Sequence, residues 1–142
     1  MKKIRFLLAM SVAKLALFAL KVLKRTASYT PGYLALKIDP DFLGSLQMPK
    51  TVICVTGTNG KTTTSNLLAD TLRDCGYSVT NNSAGSNVQA GVATALLADS
   101  TLLGKPKKQI AVLEVDERSS IKVYSFISPD YLICNNIMSI SF

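Results

Sequence analysis

Two hydrophobic periods divide this chain. Over residues 1–25, MKKIRFLLAMSVAKLALFALKVLKR, apolar side chains fill most positions. At 100° per residue Lys3, Lys14, Lys21 and Arg25 fall within about 40° of one another, with Ser11 beside them. The spacing predicts an amphipathic helix with a narrow basic stripe. Residues 26–50 hold three of the chain's five prolines and two of its eight glycines, and read as a connector with short helical turns. From residue 51 the pattern becomes regular. TVICVT (51–56) is strand-like, GTNG (57–60) is a turn, and residues 61–76 form a helix with Leu67, Leu68, Ala69 and Leu72 as candidate apolar positions and Gly76 at its end. A short strand (77–80), a polar loop (81–87), a helix (88–99), a third strand (109–117), a short helix (118–127) and a fourth strand (130–137) follow. Strand and helix alternate throughout, which predicts an α/β fold: a parallel sheet with flanking helices.

Parallel sheets place ligands beyond the carboxyl ends of their strands. Residues 57–63, 81–87, 114–117 and 135–136 all lie at such ends, so one rim collects the polar motifs. At the first of them Gly57 and Gly60 permit backbone angles closed to other residues and let the main chain approach a ligand. The following helix starts with N–H groups that have no partner within the helix and carries a partial positive charge of roughly half a unit, which suits phosphate. Lys61 adds a full charge able to reach the outer phosphates of a nucleotide triphosphate, and the Thr62 hydroxyl is placed to take a position on Mg²⁺. The longer GxxxxGK[ST] form is not met, because Val55 stands five residues before Gly60; the loop is a shorter GxxGKT preceded by Thr56. Glu114, at the end of AVLE, offers an oxygen ligand for the metal or its water, with Asp116 and Glu117 as competitors. Asn87 and Asn136 are candidates for substrate or metal water, or else bond their own backbone.

Charge and cysteine content narrow the classes. The formal net charge is +7, but residues 1–25 alone carry seven basic groups and no acidic one, so the remaining 117 residues are neutral overall and a basic body for nucleic acid is absent. Three widely spaced cysteines without a CxxC give neither a disulfide framework nor a zinc signature and fit a reduced, cytoplasmic compartment. Cys54 and Cys134 sit in apolar strand-like runs and read as small buried hydrophobes. With no histidine in the chain, proton transfer or metal binding must use carboxylates, hydroxyls or lysine. For residues 1–25, Lys14 interrupts both a signal-peptide core and a membrane span. Two readings remain: a helix lying on an anionic membrane surface, or one docking its apolar face on protein.

With the loop Thr56-Gly57-Thr58-Asn59-Gly60-Lys61-Thr62 the chain resembles the Mur ligase family, whose ATPase domain carries a short TGTNGKT-type loop. DPDFL at 39–43, NNSAGSNVQAGVATALL at 81–97, LEVDE at 113–117 and YLICNNI at 131–137 extend the likeness over nearly the whole chain, towards an amidating, Mur-like subunit of that family. The resemblance implies an incomplete P-loop-type Mur ligase central ATP-binding domain over residues 51–142, preceded by the helix and connector of residues 1–50. It implies ATP and Mg²⁺ as cofactors, with Thr58, Asn59, Gly60, Lys61, Thr62 and Thr63 around the nucleotide and Lys61 as the catalytic cation. Thr62 and Glu114 would hold the metal, and Asn87 and Asn136 would meet substrate. The implied reaction activates the D-glutamate α-carboxyl of lipid II as an acyl phosphate and amidates it during peptidoglycan synthesis, with ammonia from a glutamine amidotransferase partner of the GatD type. The implied setting is the cytoplasm, with peripheral contact at the inner membrane face through residues 1–25.

Past Ile137 the family continues into an adenine-binding part, a four-cysteine zinc ribbon and a late catalytic aspartate, whereas this chain reads MSISF. The expectation is a truncation or frameshift, marginal stability, and no turnover by this polypeptide alone. Rival readings are a folylpolyglutamate-synthase-like or other Mur-type ligase, a hydrolytic P-loop protein, and a non-catalytic membrane-attached nucleotide-binding module.

Overall fold

A computed structural model describes residues 1–82 and 86–136. Residues 83–85 of the predicted polar loop and 137–142, which include the last residue of the predicted fourth strand, lie outside the described residues. The elements run α1 (Lys2–Val22), α2 (Thr30–Ile38), α3 (Phe42–Ser45), β1 (Thr51–Thr56), α4 (Lys61–Asp74), β2 (Val79–Asn81), α5 (Gln89–Ala98), β3 (Ile110–Glu114), α6 (Glu117–Tyr124) and β4 (Tyr131–Cys134). The four strands pair in parallel in the order β2-β3-β1-β4. The fold is therefore the expected α/β arrangement, with a long N-terminal helix before it.

The strands' period of two sorts their side chains onto two cores. Val52 and Cys54 of β1, with Ala111 and Leu113 of β3, face α1, α2, α3, α5 and α6. Ile53 and Val55, with Ile110 and Val112, face α4 through Ala69, Leu68 and Leu72. Leu67 is not part of that contact: one residue before Leu68 it is turned by 100°, and it stands 68% exposed. β4 is an edge strand, so Tyr131, Leu132 and Cys134 are exposed on it. The reading of Cys134 as a buried hydrophobe is thus corrected, while Cys54 is fully buried.

The stretch read as a connector is more ordered than its prolines and glycines suggest. Pro31 sits in the first turn of α2, where its missing N–H costs nothing. Gly32 lies so close to α5 that a Cβ there would meet the Ala90 carbonyl oxygen at 2.0 Å, and its N–H donates to Thr94 Oγ1 at 2.9 Å. α1 packs on the same core through Phe6, Ala9, Met10 and Ala13, with Phe6 stacked on Phe42 at 5.3 Å. Lys14, at the edge of this contact, donates to the carbonyls of Ala98 (3.3 Å) and Ser100 (2.6 Å) and so caps the C-terminal end of α5. One face of the helix therefore docks on protein, and one lysine of the basic stripe points inward.

Candidate active site

The order of the sheet brings β3 and β4 to either side of β1, so the loop after β1 is walled by the ends of both. Val55 is in register with Glu114, and Thr56 with Cys134. Gly57 has φ +128° and Gly60 φ +78°, both in the glycine-favouring half of backbone space. The turn they make is held by the two asparagines that follow β4. Thr58 N–H donates to the Asn136 carbonyl (2.9 Å), Asn59 N–H to Asn136 Oδ1 (3.0 Å), and Asn135 N–H to the Thr56 carbonyl (3.1 Å). The Asn135 amide donates in turn to the Asn59 carbonyl (3.3 Å) and to Thr64 Oγ1 (2.9 Å).

α4 begins at Lys61 with Gly60 as its N-cap and no side-chain cap, which leaves its first turn of N–H groups for a ligand. The Lys61 ammonium is nearly buried: it donates to the Gly57 carbonyl and pairs with Glu117 Oε2 at 3.5 Å. The Thr62 hydroxyl lies 3.0 and 2.9 Å from the two oxygens of Glu114, and Asn87 Nδ2 donates to Glu114 Oε1 at 3.3 Å. Glu114 is itself buried and fixed through its backbone, because Asn82 accepts from its N–H and donates to its carbonyl, both at 2.8 Å. Residues 58–63, Asn87 and Glu114 line one open cleft of about 330 Å³.

The structure separates the three competing carboxylates. Glu114 closes β3 and faces Thr62. Asp116, expected in the strand, is the N-cap of α6 and accepts from Arg118 N–H at 3.1 Å. Glu117 belongs to the first turn of α6, not to β3, and reaches Lys61. Its own backbone N–H holds its carboxyl below the usual range; burial opposes this, and the Lys61 charge and Asp116 beside it add to the lowering. Asn136 is not on the cleft wall; its side chain is spent on the Asn59 N–H. Asn135 and Asn82, which brace the loop and Glu114, had no assigned role in the sequence reading, although Asn135 directly follows the apolar run of β4.

Among the described residues no three His, Cys, Asp or Glu side chains gather into a metal-holding group. Thr62 and Glu114 are instead a two-donor oxygen set, which fits Mg²⁺: that ion keeps several waters and shares phosphate oxygens instead of demanding a protein cage. Burial pushes the Cys54 thiol up to about 12, so this cysteine is inert packing. No helix among the described residues is long and apolar enough to cross a membrane.

Comparison with known proteins agrees with this geometry. The Mur ligase middle domain model matches residues 55–139. The chain is 36% identical over 129 residues to "Lipid II isoglutaminyl synthase (glutamine-hydrolyzing) subunit MurT" of Staphylococcus aureus (strain COL), covering 90% of this chain and 29% of that protein. It is 39% identical over 110 residues to the subunit of the same name from Streptococcus pneumoniae, covering 78% and 24%. Against the UDP-N-acetylmuramate--L-alanine ligase of Chlorobaculum tepidum it is 31% identical over 99 residues, covering 70% and 18%. The chain thus spans less than a third of the length of each of these relatives.

Proposed function

The chain belongs to the Mur ligase family, and from that premise we propose that it is the ATP-binding part of an amide-forming ligase subunit acting in peptidoglycan synthesis. The observation that carries this reading is the pairing of Thr62 Oγ1 with both oxygens of Glu114, at 3.0 and 2.9 Å, beside a glycine turn that delivers Lys61. In this reading the N–H groups of residues 61–63, in the first turn of α4, and the Lys61 ammonium hold the β and γ phosphates, while Thr58 and Asn59 shape the loop through Asn136. Thr62 and Glu114 hold Mg²⁺, and Asn87 orients the Glu114 carboxylate from its other side. MgATP, when bound, would supply its γ-phosphoryl group to a substrate carboxylate, leaving ADP and an acyl phosphate; an amine attacking the acyl carbon would then expel phosphate and lose a proton to give the amide. Asn135 and Asn136 keep the loop in its receptive shape, and Asn136 meets substrate only if it leaves the Asn59 N–H.

The names of the first relatives support a finer proposal. The carboxylate is that of D-glutamate in lipid II, the product is isoglutamine, and the ammonia comes from a glutamine-hydrolysing partner subunit of the GatD type. The nucleotide step is tested by calorimetric titration of this chain with MgATP. Lys61→Ala is expected to weaken binding by about 2–4 kcal/mol, the size of a preorganised charge contact. Glu114→Gln is expected to abolish the advantage of Mg²⁺ over its absence. Unchanged affinity in Lys61→Ala refutes phosphate capture. Tight MgATP binding with no phosphoryl transfer when the complete subunit, its partner and lipid II are combined would favour the non-catalytic nucleotide-binding module instead.

A further inference from the structure

α1 is apolar on two opposite faces, and only one of them is used. Phe6, Ala9, Met10 and Ala13 turn inward and are buried. Ile4, Leu8, Leu15, Phe18 and Val22 are 72, 56, 68, 67 and 63% exposed, and at 100° per residue they fall within an arc of about 80° on the opposite side. An exposed ridge of this kind costs solubility unless it is covered. The charges on the helix itself have one sign, and the one acidic side chain paired with it among the described residues, Asp41 on Lys2 at 4.0 Å, lies away from the ridge. Lys3 and Lys21 stand exposed along one edge, Lys24 and Arg25 follow at the helix end, and residues 1–25 contain no acidic group. Beside the N-terminal half runs a groove of about 350 Å³ lined by Phe6, Leu7 and Leu103 together with Lys2 and Lys3. Leu102 and Leu103, 57 and 66% exposed, extend the apolar surface.

We propose that this outward face is a docking surface for an anionic lipid bilayer, with α1 lying in the plane of the interface. Charge complementarity selects this occupant. Two copies of α1 packed face to face would bring Lys3, Lys21, Lys24 and Arg25 against their own kind, whereas an anionic headgroup layer meets them with the opposite sign while the acyl boundary takes Leu15 and Phe18. The inward face anchors the helix on α2, α3 and α5, so the bilayer binds the folded domain and not a loose tail. Lys14, committed to the end of α5, takes no part. The inference is independent of the nucleotide reading.

The test is cosedimentation of the whole 142-residue chain with vesicles of phosphatidylcholine alone or with about 30 mol% phosphatidylglycerol. Binding is expected only to the anionic vesicles and is expected to fall in about 0.5 M salt. Leu15→Glu and Phe18→Glu, both at exposed positions, are each expected to lower the partition about tenfold or more with the circular dichroism spectrum unchanged. Lys3→Gln with Lys21→Gln is expected to lower it several-fold. Leu67→Glu, at an equally exposed leucine on α4, is expected to leave it unaltered. Equal binding to both vesicle types, binding to neither, or indifference to Leu15→Glu overturns the proposal. So does a dimer in sedimentation velocity that Phe18→Glu dissociates without any vesicle binding.

Discussion

Replacing Gly57 by alanine tests how the phosphate loop is built, and replacing Gly60 supplies the internal control. Gly57 has φ +128°, outside every region open to an L-residue, and an added Cβ would lie 2.9 Å from the Asn136 carbonyl oxygen and 3.1 Å from the backbone nitrogens of Asn135 and Asn136. None of those atoms belongs to a side chain that can swing away. Backbone strain of about 1–3 kcal/mol and overpacking of about 1–3 kcal/mol give a total of about 2–6 kcal/mol for Gly57→Ala. Gly60 has φ +78°, close to the left-handed well, and its Cβ would meet only Asn135 Nδ2 at 3.1 Å, the movable end of a side chain. Gly60→Ala therefore costs about 1–2 kcal/mol. With no tryptophan in the chain, urea unfolding followed by far-ultraviolet circular dichroism is the suitable assay. At a slope of about 1.5 kcal/mol/M the two midpoints should differ by about 1 M or more, with Gly57→Ala the lower. Adding Asn136→Ala should not rescue Gly57→Ala, because the clash is with backbone. Equal midpoints for the two glycine variants, or rescue by Asn136→Ala, would refute the claim that the main chain after β4 grips the loop.

Three further outcomes follow from the described contacts. Lys14→Met should destabilise the chain by about 1 kcal/mol in the same urea assay: burial pushes the Lys14 ammonium below its ordinary value, but its loss strips a donor from the carbonyl of the buried Ser100. Glu117→Gln should lower the urea midpoint slightly at pH 7, and the gap to wild type should close on acidification. A carboxyl held below its unfolded value stabilises above that value and loses the effect as pH falls through the folded one. At pH 8 a thiol reagent should modify exposed Cys75 and Cys134 quickly and Cys54 only on unfolding, since burial keeps the Cys54 thiol protonated to about 12; rapid labelling of all three would contradict the packing of β1.

β1, the glycine turn and α4 were legible in the sequence because their signals are local: β-branched residues, two glycines, then a lysine and threonines. α2 was not, because Pro31 and Gly32 in isolation mark a turn, and only the neighbouring α5 shows that the glycine serves a close helix–helix approach. Likewise the sequence left Glu114, Asp116 and Glu117 as rivals for one role. Where β3 stops decides among them: a strand ending at Glu114 frees Asp116 to cap α6 and puts Glu117 in the first turn of that helix, 3.5 Å from Lys61. The exposure of Cys134 also depends on sheet order, since the same apolar run would be buried in a central strand.

Strand order is what the sequence does not spell out, and the site depends on it. Neighbouring strands lie about 4.8 Å apart. Had the four strands paired in chain order, β3 would stand two places from β1, roughly 10 Å away, and Glu114 could not meet Thr62 at 3.0 Å. β4 would be farther still, and Asn135 and Asn136 could not reach Thr58 or Asn59. The observed order 2-3-1-4 instead makes β1 an interior strand between β3 and β4, with the end of β3 on one side carrying a carboxylate and the end of β4 on the other followed by paired amides. One side is then chemically able to hold a metal and the other able to hold backbone. That division of labour explains why Glu114, in register with Val55, lines the cleft while Asn136, two residues past the end of β4, is drawn into the loop's own hydrogen bonds.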